Sequence, residues 1–404
     1  MLLPRVALDP ERCVNCGLCE ELVPCPSPDD CVGCGACALA CPQDARRMIE
    51  VEAGEARVRI VVGGMEFEVP KGTTVKRALE LCGVAFGVYP GEGDLQAPCG
   101  TGGCYTCVVS VDGEPRRSCV TAVHDGVRIE TRPPEGFVPL RIIHGPQPHT
   151  VGGKATPWWT KSGGRYVEVA IWAAGCNLRC PQCQNYTTTY DGRSRPSTPR
   201  EAARALTIAR RFYGVQRMAI SGGEPTLNRA WLVEFFRELR RQNSDPEARL
   251  HLDSNGTLLT PDYIDELVEE AGVTDIGVEP KGVCVETLMR ISGITDRSLA
   301  ERYLETAWGA IEHIVDKHSD RVFLGVGLPY NSALISMDEV YEFGRRLAGI
   351  GPDVQLCVLD YFPTFKRQDI RRPDVDEMLR VKRVLEDAGL RTVIVQTRVG
   401  HFGP

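Results

Sequence analysis

Apolar runs alternate with amphipathic stretches along most of the chain after residue 165. Seven of these runs are typical of strands: YVEVAIWAAG, QRMAIS, ARLHLDSN, VTDIGVEP, RVFLGVGLP, VQLCVLDY and RTVIVQT. Between them, helical periodicity falls near 199–213, 229–243, 261–271, 298–318, 336–350 and 374–388. Alternation of strand and helix predicts parallel strands joined by crossover helices. We therefore expect an α/β domain over residues 165–404 that forms a partial or full (β/α) barrel.

The N-terminal part of the chain has a different pattern. The runs VRIVV and MEFEV flank Gly63-Gly64, which predicts a hairpin, and TTVKRALELCG predicts a short helix after it. Residues 57–131 are therefore expected to form a small β domain. Residues 132–164 are rich in Pro, Gly and His and are predicted to be a linker. Residues 1–50 form a separate region dominated by cysteine.

Composition excludes several classes of protein. The 404 residues suffice for two or three domains at ~150 residues each, and the net charge of −7 argues against a broad nucleic-acid surface. No run reaches the ~18 apolar residues that a membrane-spanning helix needs. The opening MLLPRVALDPERC meets charged residues too early for a signal peptide. We expect a cytoplasmic protein with no membrane and no nucleic-acid partner.

The number and spacing of the cysteines are unusual. There are 18 cysteines, of which 13 fall in the first 119 residues, many only two or three residues apart. A long chain with no export signal and such spacing indicates metal ligation rather than disulfides. This points to a reducing and anaerobic setting.

Eight of these cysteines form two runs within residues 1–50. Cys13, Cys16 and Cys19 are followed by Cys25-Pro26, and Cys31, Cys34, Cys37 and Cys41 are followed by Pro42. The second run has the spacing of bacterial ferredoxins. That resemblance implies two [4Fe–4S] clusters, one held by Cys13, Cys16, Cys19 and Cys41 and the other by Cys31, Cys34, Cys37 and Cys25. The first run has five residues instead of three before its last cysteine, so the cross-pairing stays open. Two structural zinc sites are the alternative.

A second group of cysteines has plant-type spacing. Cys99, Cys104 and Cys107 follow C-x4-C-x2-C, and Cys119 comes after eleven intervening residues. Gly100, Gly102 and Gly103 would let the main chain pass close to cluster sulfides. The region resembles a β-grasp ferredoxin, which implies one [2Fe–2S] cluster. Cys82 fits no ligand spacing and is predicted to belong to the core.

A third group lies at the predicted strand ends of the barrel. Cys176, Cys180 and Cys183 form C-x3-C-x2-C after the first strand. Three thiolates on a four-iron cluster leave one iron open to another ligand. The sequence Ser221-Gly222-Gly223-Glu224-Pro225 ends the second strand, and Asp253-Ser254-Asn255-Gly256 ends the third. Barrel active sites form at these carboxyl ends.

These motifs together resemble the radical S-adenosylmethionine (SAM) superfamily. The resemblance implies a third [4Fe–4S] cluster whose open iron is chelated by SAM. It implies that Gly222, Gly223 and Pro225 let a backbone edge approach the methionine moiety, that Glu224 accepts from the SAM ammonium group, and that Ser254 and Asn255 contact its ribose or carboxylate. Residues 158–404 most resemble the pyruvate formate-lyase activating enzyme group, especially the radical SAM proteins linked to the AMMECR1 and Memo families.

Several weaker candidates remain open. Lys281, in Glu279-Pro280-Lys281, either faces the adenosyl site or is a solvated lysine at a helix start. Cys284 and Cys357 either donate a hydrogen atom or belong to the core. Trp158-Trp159 either cover the barrel, form an interface or lie in the core. His401 either lines the substrate opening or belongs to the tail.

The resemblance implies reductive cleavage of SAM to methionine and a 5′-deoxyadenosyl radical, which takes a hydrogen atom from a substrate. The substrate is a protein, as for an activase or a modifying enzyme, or a small molecule. We expect the N-terminal clusters to relay electrons to the Cys176, Cys180 and Cys183 cluster, and an external donor is possible. The alternative is an electron-transfer or reductive-activation protein that does not consume SAM.

Overall fold

The computed structural model describes residues 1–160 and 164–404. Residues 161–163, at the end of the predicted linker, lie outside the described residues. The chain forms two compact units. The first comprises residues 1–143, 173–177 and 185–198, and the second comprises residues 144–172, 178–184 and 199–404.

The cysteine-rich N-terminal region is closed by a pair of strands. Its elements are β1 (Leu2–Leu8), α1 (Leu18–Glu21), α2 (Ala36–Ala40) and β2 (Arg46–Glu52). Strands β1 and β2 pair antiparallel from Leu2 opposite Glu52 to Leu8 opposite Arg46. The two short helices lie within the two cysteine runs, since α1 contains Cys19 and α2 contains Cys37. The strand pair holds the chain before the first run beside the chain after the second.

The small β domain of the first unit has a mixed sheet. Its elements are β3 (Arg57–Val62), β4 (Met65–Pro70), α3 (Val75–Leu81), β5 (Phe86–Gly87), β6 (Leu95–Gln96), β7 (Val108–Val111), β8 (Glu114–Arg117) and β9 (Val127–Glu130). The strand order is β4-β3-β9-β7-β8, in which β3 and β9 are parallel. The predicted hairpin is confirmed, since Val62 pairs with Met65. Cys82 packs against the core of this domain, as predicted.

The remaining elements alternate between strand and helix. They are β10 (Arg141–His149), β11 (Glu168–Ala173), α4 (Tyr186–Thr189), β12 (Pro196–Ser197), α5 (Pro199–Tyr213), β13 (Arg217–Gly222), α6 (Arg229–Gln242), β14 (Arg249–Ser254), α7 (Pro261–Asp265), β15 (Asp275–Val278), α8 (Val285–Ser292), α9 (Arg297–His318), β16 (Phe323–Tyr330), α10 (Met337–Ile350), β17 (Gln355–Asp360), α11 (Val375–Asp387), β18 (Val393–Thr397) and β19 (Gly400–Phe402). One turn of π-helix, Glu266–Glu270, extends α7. Strand β10 lies where the sequence predicts a linker.

The second unit is an α/β structure built on parallel strands. Its strand order runs β11-β13-β14-β15-β16-β17-β18-β19. Strands β13 to β18 are parallel, and only β19 returns antiparallel to its neighbour. All seven predicted strands are present, and a helix covers each predicted helical stretch. The open order identifies a partial barrel, and α8 is an additional short helix.

The helices begin where their sequences supply caps. Asn228 accepts a hydrogen bond from the Trp231 N–H at 3.2 Å before α6, and Asp296 accepts from the Leu299 N–H at 3.1 Å before α9. Proline opens α5 and α7, where the missing N–H costs nothing. Across the described residues, none of the helices has the length and apolar character needed to cross a membrane.

The two tryptophans before the barrel lie at its lower edge. The Trp158 N–H donates to Gln355 Oε1 at 2.9 Å, and the Trp159 ring meets Phe323 edge-on at 5.5 Å. Gln355 and Phe323 begin their strands, so both tryptophans lie at the end opposite the carboxyl ends of the strands. They remain exposed, which is inconsistent with a core role.

Replacing Trp308 by alanine should destabilise the barrel by about 3–5 kcal/mol. Trp308 is fully buried in α9, and its indole N–H donates to the Gly282 carbonyl at 3.0 Å. The variant therefore leaves a large cavity and an unpaired carbonyl. Urea unfolding under anaerobic conditions measures the loss, with Phe212→Ala, an exposed aromatic of α5, as the control. A cost no larger than that of the control would show that the barrel does not depend on packing around Trp308.

Candidate active site

The four cysteines with plant-type spacing form two close pairs. The Sγ atoms of Cys99 and Cys104 lie 3.1 Å apart, and those of Cys107 and Cys119 lie 3.3 Å apart. All four side chains are buried. Two pairs of thiols match a cluster of two irons in which each iron takes two thiolates. The donor set and its arrangement therefore fit a [2Fe–2S] cluster.

The N-terminal cysteines lie among groups that suit anionic clusters. The Arg46 Nε–H donates to Cys19 Sγ at 3.1 Å, while the Val6 and Gly33 N–H groups each donate to Cys31 Sγ at 3.4 Å. Such N–H to sulfur contacts stabilise thiolate ligands. Burial raises the pKa of the Cys37 thiol to about 11, so a bound cation is needed to hold it as thiolate at neutral pH.

The first unit contains a cavity of about 630 Å³ beside these cysteines. Cys19, Cys25 and Cys37 line it, together with the guanidinium groups of Arg46 and Arg117. Burial raises the pKa of Cys34, and the nearby Cys25 and Cys31 thiolates raise it further. The structure thus places Cys25 close to the second cysteine run. The pairing of Cys25 and Cys41 with particular clusters stays a prediction.

Cys176, Cys180 and Cys183 lie on one loop between β11 and α4. In the second unit, the Arg179 N–H donates to the Ser292 carbonyl at 2.7 Å and the Gln182 Nε2 donates to the Ile291 carbonyl at 2.9 Å. The end of α8 therefore fixes the part of the loop that carries the second and third cysteines. Burial raises the pKa of Cys180 to about 11, which again favours a cation as its partner. Three thiols with no fourth cysteine until Cys284 fit a four-iron cluster with one open iron.

Glu224 fastens two strand ends to each other. Its carboxylate accepts from the Thr226 N–H at 3.0 Å, from Ser254 Oγ at 2.8 Å and from the Asn255 N–H at 2.7 Å. The side chain is completely buried. The end of β13, with SGGEP, is thereby held beside the end of β14, with DSNG.

The other residues predicted to contact SAM lie around Glu224. Gly222 has φ +123°, and both Gly222 and Gly223 are partly exposed, so their main chain is accessible to a ligand. Asn255 Oδ1 accepts from the Thr257 N–H at 3.0 Å, and Pro225 is buried. The structure brings these residues to adjacent strand ends. Their contacts with SAM, including that of Glu224, stay predictions.

A buried charged group follows the end of β15. The Lys281 ammonium pairs with the Glu279 carboxylate and donates to Tyr361 Oη at 3.2 Å. Lys281 is buried rather than solvated, which rules out the solvated alternative. Its φ of +67° is unusual for a residue with a side chain and marks a constrained position. Its charge also acts on Cys180, where it lowers the thiol pKa against the larger effect of burial.

A second lysine enters the barrel from the predicted linker. Lys154 Nζ lies 3.3 Å from Asp253 Oδ1 and 4.0 Å from Glu279 Oε2. Glycines in neighbouring strands make room for it, since a Cβ at Gly325 would lie 2.1 Å from the Lys154 carbonyl and one at Gly327 would lie 2.4 Å from its Cδ. The interior of the barrel is therefore polar, and Lys154 occupies part of it.

Three sequence profiles match the chain. That of the radical SAM superfamily matches residues 171–343, which contain the Cys176 loop, SGGEP and DSNG. Profiles of a 2Fe-2S iron-sulfur cluster binding domain and a 4Fe-4S binding domain match residues 55–134 and 24–47. The chain belongs to the radical SAM superfamily of enzymes.

Curated relatives match separate parts of this radical SAM enzyme. GTP 3′,8-cyclase of Synechococcus sp. (strain CC9605) is 33% identical over 31% of this chain and 37% of its own length. A putative glycyl-radical enzyme activating enzyme of Methanocaldococcus jannaschii is 26% identical over 28% of this chain and 43% of its own length. Hydrogen cyanide synthase subunit HcnA of Pseudomonas aeruginosa is 36% identical over 19% of this chain and 75% of its own length. The enzyme thus spans little more than a third of the first of these relatives.

Sequence reasoning missed several buried polar residues of the radical SAM barrel. They are Glu168, Arg217, His251 and Tyr361, together with the largely buried Lys154, whose side chain is 14% exposed; all belong to the second unit. His251 Nδ1 lies 2.7 Å from Glu168 Oε2, and its Nε2 lies 3.2 Å from Asp253 Oδ1. Alternation within each strand places such residues on the inner face, but nothing in the sequence indicates which of them meet.

The remaining candidates of the radical SAM enzyme occupy three separate positions. Cys357 is buried in β17 and donates weakly to the Lys154 carbonyl, with sulfur and oxygen 3.6 Å apart. Cys284 precedes α8 and lies 3.3 Å from Thr287 Oγ1. His401 is exposed on the edge strand β19.

His251 makes the stability of the radical SAM barrel depend on pH. Burial opposes its charged form, but the charges of Glu168 and Asp253 outweigh burial and raise the pKa of His251 from 6.5 to about 9. Its stabilising contribution is therefore complete below pH 6.5 and is lost as the pH rises through about 9. We expect the thermal midpoint to fall across this range by more in the wild type than in His251→Asn. Parallel curves for the two proteins would show that His251 is not the group responsible.

Proposed function

We propose that this enzyme reductively cleaves SAM and uses the 5′-deoxyadenosyl radical to take a hydrogen atom from a protein substrate, as an activase or a modifying enzyme does. One observation carries the proposal: three cysteines spaced C-x3-C-x2-C follow β11, and the neighbouring strands end in SGGEP and DSNG, joined by Glu224. The cluster that the three cysteines would hold supplies the low-potential electron. The similarity to a putative activating enzyme supports a protein substrate, and the similarity to GTP 3′,8-cyclase supports a small molecule as the alternative.

The chain's own residues orient and enclose the reaction. Glu224 holds the ends of β13 and β14 at a fixed separation, so the main chain of Gly222 and Gly223 is arranged before SAM binds. Lys281 and Tyr361 present buried polar atoms beside Cys180. A buried, preorganised environment keeps water from a reactive intermediate.

Electrons would reach this site from the N-terminal clusters. Cys16 and Cys25 are exposed, so the clusters they hold lie within reach of an external one-electron donor. Tethering these clusters to the barrel raises the effective concentration of the donor. A relay of this kind requires a reducing compartment such as the cytoplasm, where thiols stay free to bind iron.

The decisive experiment is SAM cleavage by the anaerobically reconstituted protein. We expect about fourteen irons per chain, four for each of three cubanes and two for the remaining cluster. Addition of SAM and dithionite should then yield 5′-deoxyadenosine, detected by mass spectrometry. The variant Cys176→Ala/Cys180→Ala/Cys183→Ala should lose about four irons and all of the product.

The matched control is Cys82→Ala, which removes a cysteine from a core position. It should keep both iron content and product. Full iron loading of the wild type with no product, in the presence or absence of candidate protein substrates, would contradict the proposal and favour an electron-transfer protein that does not consume SAM. Product formed only with a small molecule would correct the substrate class.

The relay makes a separate prediction about the source of electrons. With a small flavodoxin-type protein as reductant, Cys16→Ser/Cys34→Ser should slow SAM cleavage by about 10²-fold, because the tethered donor is lost. With dithionite, which is small enough to reach the barrel directly, the same variant should stay close to the wild type. Equal rates for both proteins with the protein reductant would refute the relay.

A further inference from the structure

The main chain just before Cys176 touches the ligands of the [2Fe–2S] site, within the first unit. An ideal Cβ on Gly175 would lie 3.0 Å from the Cβ atoms of both Cys99 and Cys104, and 3.0 Å from the Cys104 N atom. Gly175 also has φ +83°, which side-chain-bearing residues rarely adopt. This position therefore admits only glycine without a shift of the neighbouring chain.

Hydrogen bonds hold this contact in place. The Ala174 N–H donates to the Ile142 carbonyl at 2.9 Å, and the Ile142 N–H donates to the Gly103 carbonyl at 3.2 Å. The guanidinium of Arg141, which is fully buried, donates to the Ala174 carbonyl at 3.0 Å. The predicted [2Fe–2S] loop and the segment that leads into Cys176 are thus joined by direct hydrogen bonds.

The Gly175 contact involves only one of the two cysteine pairs of the predicted [2Fe–2S] site. Gly175 meets Cys99 and Cys104, which form the closer thiol pair and would share one iron. None of the three nearest atoms around Gly175 comes from Cys107 or Cys119. An electron that leaves through Gly175 would therefore come from the iron held by Cys99 and Cys104. Gly175 is bonded directly to Cys176, which is a predicted ligand of the next cluster.

We propose that Gly175 is a positioning residue that makes the [2Fe–2S] site the immediate electron donor to the Cys176 cluster. This inference rests on the proposed function and names the last step of its relay. One electron leaves the reduced [2Fe–2S]⁺ cluster, which becomes [2Fe–2S]²⁺, and passes by way of the Cys104–Gly175 contact to the Cys176 cluster, which goes from [4Fe–4S]²⁺ to [4Fe–4S]⁺. The electron comes originally from a low-potential one-electron reductant, and no proton or atom moves in this step.

The other side of the [2Fe–2S] loop has a similar contact with the N-terminal region. A Cβ on Gly192 would lie 2.0 Å from the Thr101 carbonyl and 2.7 Å from Cδ of Pro24, which precedes Cys25. Arg117 also bridges the carbonyls of Gly102 and Gly192, at 3.2 and 2.7 Å. The [2Fe–2S] loop thus contacts a neighbour of Cys25 through Gly192 and the residue before Cys176 through Gly175, which places it between the two in the order of transfer.

The first test needs no turnover. In fully reduced wild-type protein without SAM, the electron spin of the [2Fe–2S] cluster should relax faster than in Cys176→Ala/Cys180→Ala/Cys183→Ala. The reduced N-terminal clusters are present in both proteins, whereas the paramagnetic Cys176 cluster is present only in the wild type. Electron paramagnetic resonance measures this relaxation directly. Identical relaxation in the two proteins would overturn the inference, whatever the enzyme does with SAM.

The second test uses Gly175→Ala, which widens the contact. After the reduced protein is mixed with SAM, freeze-quenched spectra should show the [2Fe–2S]⁺ signal decaying more slowly than in the wild type, since a Cβ only 3.0 Å from the Cβ atoms of Cys99 and Cys104 pushes this contact apart. Gly113→Ala is the matched control. Gly113 has a similar φ of +84° in the same domain, but open space surrounds its Cβ position.

The outcomes separate this inference from the proposed function. Decay in Gly175→Ala at the wild-type rate, with normal 5′-deoxyadenosine, would overturn the role of Gly175 and leave SAM cleavage standing. If the wild type forms no 5′-deoxyadenosine, the proposed function fails, and the relaxation measurement still decides the contact. Should Gly175→Ala lose iron, the comparison of the wild type with the triple cysteine variant remains decisive.

Discussion

The first unit depends on segments of main chain that pack so closely that only glycine fits between them. Gly103, Gly175 and Gly192 come from three separate stretches of sequence, and a Cβ on any of them would lie within 3.0 Å of a neighbouring segment. All three surround the buried thiols of the [2Fe–2S] site. Glycine permits this close approach of three stretches of main chain beside the predicted [2Fe–2S] site, because it has no Cβ. Glycine loses more backbone conformational entropy on folding than other residues do, and the hydrogen bonds of Arg141 and Arg117 offset this loss.

The second unit depends instead on the pairing of charged side chains in its interior. Glu279 and Lys281 are buried, and Lys154, whose side chain is 14% exposed, lies beside Glu279. Each of these charges would be costly alone. Burial lowers the pKa of Lys154, but the charges of Asp253 and Glu279 raise it further than burial lowers it. Because each charge has a partner of opposite sign, the barrel can hold ionised groups near the carboxyl ends of its strands. Polar groups held there are available to a bound cofactor and substrate.

The two constraints meet in the sequence around Cys176. The residue before it is fixed by the [2Fe–2S] loop of the first unit, while Arg179 and Gln182 after it are fixed by α8 of the second. Glu224 supplies the same rigidity to the next two strand ends.

The sequence by itself determined the alternation of strands and helices, the cysteine groups and the motifs at the strand ends, because each depends on local spacing. It did not reveal that Lys154 lies in the barrel, that strand β10 occupies the predicted linker, or that Glu224 joins two strands. It also did not reveal that Gly175 meets Cys104. These contacts join residues 30 to 170 positions apart, and only the tertiary structure decides which buried polar groups and which glycines come together.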